Sequence, residues 1–182
     1  MSRTALLAMD LQLHHLGRLP ADYLPAAVRA LETARAAGVP VLHVVLRFRP
    51  GHVDAHPRNK TFGALAPHLY TADDPGAAIH PDAAPREGEL VVHKNRVSAF
   101  AGNNLHQILA AMDVGHLVLA GIATGGIVLS TALQAADLDY RVTVLSDACA
   151  DPDPELHAAL VGKVLSRRGE VLTTDEWART LG

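Results

Sequence analysis

The sequence predicts an α/β protein: a three-layer α/β/α sandwich around a mostly parallel, Rossmann-like sheet. Short apolar runs of strand type alternate with stretches of helical periodicity along the whole chain. The apolar runs are near-continuous, as in strands covered on both faces. Right-handed crossovers between such units then limit the topology to a doubly wound sheet.

The first strand covers residues 4–9 and ends at a carboxylate, Asp10. A helix is predicted over 20–37, with Leu24, Val28 and Leu31 at helical spacing and Gly38 and Pro40 as its stop. Residues 41–46 form a second strand. Residues 50–88 are rich in Pro, Gly, His and Asp and show little periodicity, so a long loop is expected, of the kind that often serves function. A third strand spans 89–93 and ends at Lys94. A helix over 103–112 carries Leu105, Ile108, Leu109 and Met112 on one face. A fourth strand at 117–120 runs into the glycine turn 121–126, and a helix starts at Ile127. Strand 141–145, helix 154–165, a short strand 170–172 and a helical turn 175–180 complete the chain.

Residues 117–136 carry no formal charge over about 20 positions, the length of a membrane span. Gly121, Thr124, Gly125, Gly126, Ser130, Thr131 and Gln134 interrupt that stretch, so a strand, a turn and a helix fit better than a span. The chain of 182 residues is read as one domain, 1–182. Its net charge of −3 gives no basic surface for nucleic acid. One cysteine, Cys149, allows no internal disulfide. The amino terminus lacks the long apolar core of a signal peptide, so a cytoplasmic location is expected. No G-x-G-x-x-G follows the first strand and no Walker loop is present, so no nucleotide cofactor is expected.

Asp10, Lys94 and the glycine turn all end predicted strands, which brings them to one edge of the sheet. A turn leading into a helix also presents backbone N–H groups to a negative ligand atom or a developing oxyanion. A structural ion pair between Asp10 and Lys94 accounts for those two residues equally well.

The motifs ALLAMDLQ, KNRVSAF from Lys94, GIATGGIVLSTALQAADLDYRV and LSDACAD, in this order, resemble the isochorismatase-like (cysteine hydrolase) family over nearly the whole chain. The resemblance implies a catalytic Asp10, a catalytic Lys94 and a non-proline cis peptide at Ile122–Ala123. It also implies a substrate pocket touching Ile122, Ala123, Thr124, Gly125, Gly126 and Ile127, with Phe100 nearby, and assembly into a homodimer or tetramer. The amidases of the family carry a nucleophilic cysteine at the position of Ile127, and isoleucine has no lone pair. The implied chemistry is therefore Asp/Lys acid–base hydrolysis of a small polar or anionic metabolite, with a vinyl ether or similar bond favoured over an amide. A catalytically silent ligand-binding or assembly protein is the alternative, and a metal-dependent amidase the third.

Cys149 reads as a buried small residue. Ser130 and Thr131 read as packed or hydrogen-bonded to the preceding turn, and Thr124 is placed to bind a ligand but has no base beside it in sequence. His52 and His56 lie in the loop, where i, i+4 spacing has no helical meaning. Nicotinamidases of the family bind zinc after the second strand. Here Arg47, Phe48 and Arg49 occupy that place, and no metal is expected. Arg47, Arg49 and Arg96 are candidates for selecting an acidic substrate through a planar guanidinium fork.

Overall fold

The computed structural model describes residues 3–17, 19–20 and 22–181. The apolar runs form β1 (Arg3–Met9), β2 (Val41–Leu46), β3 (Leu90–Lys94), β4 (Val114–Ile122), β5 (Arg141–Ala150) and β6 (Glu170–Leu172). All neighbours pair in parallel, in the order β3-β2-β1-β4-β5-β6. This is the doubly wound order of the Rossmann type.

Strand alternation assigns the two faces. Ala5, Leu7 and Met9 join Leu117 and Leu119 in one apolar layer, covered by α3 (Leu105–Ala111) and α4 (Leu129–Asp137). Leu6, Ala8, Val118 and Ala120 point the other way, against α2 (Tyr23–Ala36) and Trp177 of α6 (Thr174–Arg179). Two short or peripheral helices complete the set, α1 (Leu13–Leu16) and α5 (Pro154–Lys163). Among the described residues no helix is long and apolar enough to cross a membrane.

The differences from expectation have physical causes. The helix expected over 20–37 begins at Tyr23, and Ala21, inside that range, lies outside the described residues. Its fully buried face is Tyr23, Ala27, Ala30, Leu31 and Ala34, with Leu24 and Val28 only partly buried. Small alanines let the helix approach the sheet closely, and the larger side chains fill the flanks. β5 runs on to Ala150, past the polar Ser146 and Asp147. Asp147 belongs there because its carboxylate caps the start of α6, accepting from the N–H and hydroxyl of Thr174, and accepts from Arg29 at 2.7 Å.

The segment 50–88 contains only single 3₁₀ turns, as its composition implies, yet it is tied down. Gln12, fully buried, donates to the carbonyls of Leu46 and Ala77 and accepts from the N–H of Leu46. Asp74 accepts from the N–H groups of Tyr70 and Gly76 and pairs with His14 at 2.8 Å. Gly76 is needed here, because a Cβ at that position would meet the His14 ring. These bonds fold the loop over the carboxyl end of the chain's own β1.

Candidate active site

The strand order reverses between β1 and β4, and in an open α/β sheet the crevice at that point is the natural ligand site. Met9 pairs with Gly121 there, so Asp10 and Ile122 leave the sheet side by side. Gly121 has φ of 153°, and a Cβ on it would collide with the Met9 carbonyl oxygen. Asp10 itself has φ of 56°, a left-handed conformation that non-glycine residues rarely adopt and that clusters at functional sites.

β3 carries Lys94 to the same place. Its ammonium lies 2.9 Å from Asp10 Oδ2 and also donates to the Arg96 carbonyl at 3.1 Å. Both side chains are buried. Asp10 Oδ1 is buried as well and has no protein partner. One carboxylate oxygen is thus anchored by a cation while the other is left to exchange a proton or hold a water.

Beside this pair is a cavity of about 340 Å³, with His14, His15, Leu69, Tyr70, Ile122 and Ala123 in its walls. Tyr70, like Asp10, has a positive φ, of 55°. Its ring packs against both imidazoles, with centroids 5.1 Å from His14 and 5.2 Å from His15. His15 Nε2 is buried without a partner. Burial holds the His15 imidazole below its ordinary pKa. The Asp10 carboxylate opposes that shift, and the Lys94 and His14 charges add to it.

The Ile122–Ala123 peptide is cis, at the position the resemblance implied. The turn after it is built differently from a free N–H cradle. Gly125 donates its N–H to Asp151 Oδ2 at 2.7 Å, and Gly126 donates to the Ala123 carbonyl at 3.0 Å. Those two donors are engaged within the protein, which corrects the expectation that they face a ligand. Thr124 is fully buried, with its hydroxyl 2.8 Å from His157 Nδ1. Burial lowers the His157 pKa, and the ring also bonds the Ser146 backbone. The Thr124 hydroxyl is taken up by His157, so this pair fixes the turn to α5. Ile127 is buried in the apolar layer with Met9 and Phe100.

Of the residues expected to touch substrate, Ile122 and Ala123 line the 340 Å³ cavity, and Thr124, Gly125, Gly126, Ile127, Arg47, Arg49, Arg96 and Phe100 do not. Arg47 and Arg49 line a different cavity, of about 300 Å³, together with His93, Lys94 and Asn95. Arg96 donates to the carbonyls of Asp54 and Asn95 and lines a third cavity of about 530 Å³ within the loop. Phe100 stacks on Tyr140 at 5.9 Å within the apolar layer that holds Met9 and Ile127. Arg47 continues β2 beside β3, its N–H donating to the Lys94 carbonyl at 2.8 Å. Thr131 is fully buried, as a packing residue, and accepts from the Ala99 N–H. Cys149 is buried and its thiol is pushed up to about 12 by that burial, as suits a packing residue.

The place where nicotinamidases hold zinc does not fit a cation here, since two arginines stand in it. Among the described residues no three His, Cys, Asp or Glu side chains gather into a metal-sized group. Tyr70, an aromatic candidate for a pocket wall from the sequence, does line the 340 Å³ cavity. The residues that sequence reasoning missed are His15 and His157. Local periodicity held no signal for His157, which arrives from a distant segment. His15, only five residues after Asp10, was close enough to suspect.

The chain is similar to known proteins over most of its length. The isochorismatase domain family matches residues 4–176. A probable inactive nicotinamidase of Arabidopsis thaliana is 30% identical over 169 residues, covering 87% of this chain and 82% of that protein. The maleamate amidohydrolase of Pseudomonas putida is 29% identical over 163 residues, covering 85% of this chain and 75% of that protein. The solved structure of an isochorismatase family protein from Burkholderia thailandensis superposes with a TM-score of 0.87 at 28% identity, covering 98% of this chain and 95% of that one. With the Asp10–Lys94 pair at the switch point and isoleucine at position 127, the chain belongs to the isochorismatase family of hydrolases.

Proposed function

We propose that the chain hydrolyses a small polar or anionic metabolite by Asp10/Lys94 chemistry, without a covalent enzyme intermediate. The observation that carries this reading is Asp10. One of its oxygens is anchored to a buried ammonium, the other is buried and unpartnered, and the backbone is held in a left-handed conformation. Asp10 moves the proton, Lys94 orients it and stabilises negative charge, and water supplies the nucleophile. With Ile127 at the thiol position, a vinyl ether or another acid-labile bond is favoured over an amide. No cofactor takes part in this reading, and the protein acts as a homodimer or larger assembly.

A second reading has one observation in its favour. The Arabidopsis relative is named a probable inactive nicotinamidase, which fits a pocket kept for binding alone. A hydrolase screen over small vinyl ethers, esters and amides separates the two. The enzyme reading expects turnover that falls by at least about 100-fold in Asp10→Asn, the scale of losing a general acid or base. Turnover that Asp10→Asn leaves intact, or no turnover by folded protein across the screen, overturns it.

A further inference from the structure

Of the groups facing the 340 Å³ cavity, His15 is the one whose charge can change near neutral pH and whose polar atom is unclaimed. His14 also faces it, but its Nε2 is paired with Asp74. The charged and titratable groups around His15 are His14 from α1, Asp10 after β1, Lys94 from β3 and Tyr70 from the loop. Asp10 and Lys94 neutralise each other at 2.9 Å. The other walls, among them Leu65, Leu69 and Ile122, are apolar. The three arginines expected to recognise an acid line other cavities.

We propose that His15 Nε2 is the specificity-determining contact of this cavity, and that it selects a small carboxylate with an apolar body. The inference rests on the cavity being the substrate pocket of the preceding section. Its volume is at the small end of ligand pockets, which span roughly 300–1,000 Å³, so the occupant is a small metabolite. Apolar walls take the body of such a ligand. A buried carboxylate needs a hydrogen-bonded counter-charge, and His15 supplies one by taking a proton. In the empty site, burial and the Lys94 charge disfavour the protonated imidazole. A carboxylate against Nε2 reverses that balance, and the imidazolium then donates to a carboxylate oxygen. Binding therefore takes up one proton. A neutral ligand of the same shape leaves Nε2 without this partner.

The probes are benzoate and benzamide, alike in shape and different in charge. Calorimetry in buffers of different ionisation enthalpy measures affinity and proton uptake from pH 5.5 to 8. We expect benzoate to bind the wild type more tightly than benzamide at pH 6, with uptake of a proton. Its affinity should weaken toward about tenfold per pH unit above neutrality, the limit for one linked proton. In the wild type, a proton NMR titration should show the His15 ring pKa rising when benzoate saturates the site, a readout that needs no folded variant. His15→Gln should bind both probes alike and lose the pH dependence.

Equal affinity of the wild type for the two probes, or no benzoate binding at millimolar concentration, overturns the proposal. So does pH-dependent benzoate binding that survives in His15→Gln. If the selectivity instead disappears in Arg47→Ala, it belongs to the arginine cavity. If proton uptake is lost in Asp10→Asn and kept in His15→Gln, the proton goes to Asp10. Both results also overturn the proposal. These readouts are independent of turnover. Selective binding by a protein that hydrolyses nothing sinks the hydrolase reading alone, and Asp10-dependent turnover with charge-blind binding sinks this inference alone.

Discussion

Gly125 donates its backbone N–H to Asp151 Oδ2 at 2.7 Å, clamping the glycine turn to the segment that follows β5. Asp151 is buried, and its other oxygen accepts from the Asp153 N–H at 3.1 Å. Replacing Asp151 by alanine orphans two donors. A loss of about 1–3 kcal/mol is expected, the scale of an unsatisfied buried polar group. Asp151→Asn keeps a carbonyl acceptor and should lose less. Urea denaturation ranks the two variants, and equal stability of Asp151→Ala and wild type would show that the clamp is idle.

Lys94→Met should be more damaging than its size suggests. It leaves the Asp10 carboxylate buried beside no cation, and breaking a buried pair from one side costs about 3–5 kcal/mol. Lys94→Met combined with Asp10→Asn removes the uncompensated charge and should recover much of that loss. A double-mutant cycle in denaturant checks this, and strictly additive effects would contradict it.

Thiol reagents should leave the native protein unmodified. Cys149 is buried, its S–H donates to the Leu119 carbonyl at 3.6 Å, and burial pushes its thiol up to about 12. The reactive thiolate is therefore scarce at pH 8. Mass spectrometry after iodoacetamide should show adducts only once urea unfolds the chain. Rapid native labelling would mean that the strand opens locally.

Glu89 should make the protein sensitive to acid. Burial pushes its carboxyl up, but the Arg35 guanidinium, the Arg86 N–H and His43 more than reverse this and hold it at about 2. The unfolded group titrates at 4.5, so the stabilisation is complete above that value and fades as pH falls toward 2. It is worth at most about 3 kcal/mol, from 1.36 kcal/mol per pKa unit. The stability gap between wild type and Glu89→Gln should be wide at pH 6 and narrower at pH 3, as read from urea midpoints. A gap that widens in acid would reverse the assignment.

The edge strand β3 leaves Leu90 and Val91 exposed, at 46% and 42%. Unpaired edges that carry apolar side chains invite association. Light scattering at micromolar concentration should give a mass of at least two chains, and Leu90→Lys should lower it. A monomeric wild type would refute this.

The sequence by itself determined the sheet, its parallel winding and the convergence of Asp10, Lys94 and the glycine turn. Those follow from local order, because buried strands read as apolar runs and their carboxyl ends must share one edge. The isoleucine at position 127, where the resemblance implies a thiol, was legible too, because it stands in a motif with fixed spacing. Contacts between segments distant in the chain were not. His157 reaches Thr124 across 33 positions, and Asp151 reaches Gly125 across 26. Asp74 and Gln12 bring Tyr70 over the site from a loop without periodicity. The three arginines looked interchangeable in sequence, and only the direction of each side chain relative to the sheet decided that they line other cavities. A strand period assigns a residue to a face. The neighbouring element alone decides what that face meets, because hydrogen bonds and close packing are satisfied across space and not along the chain.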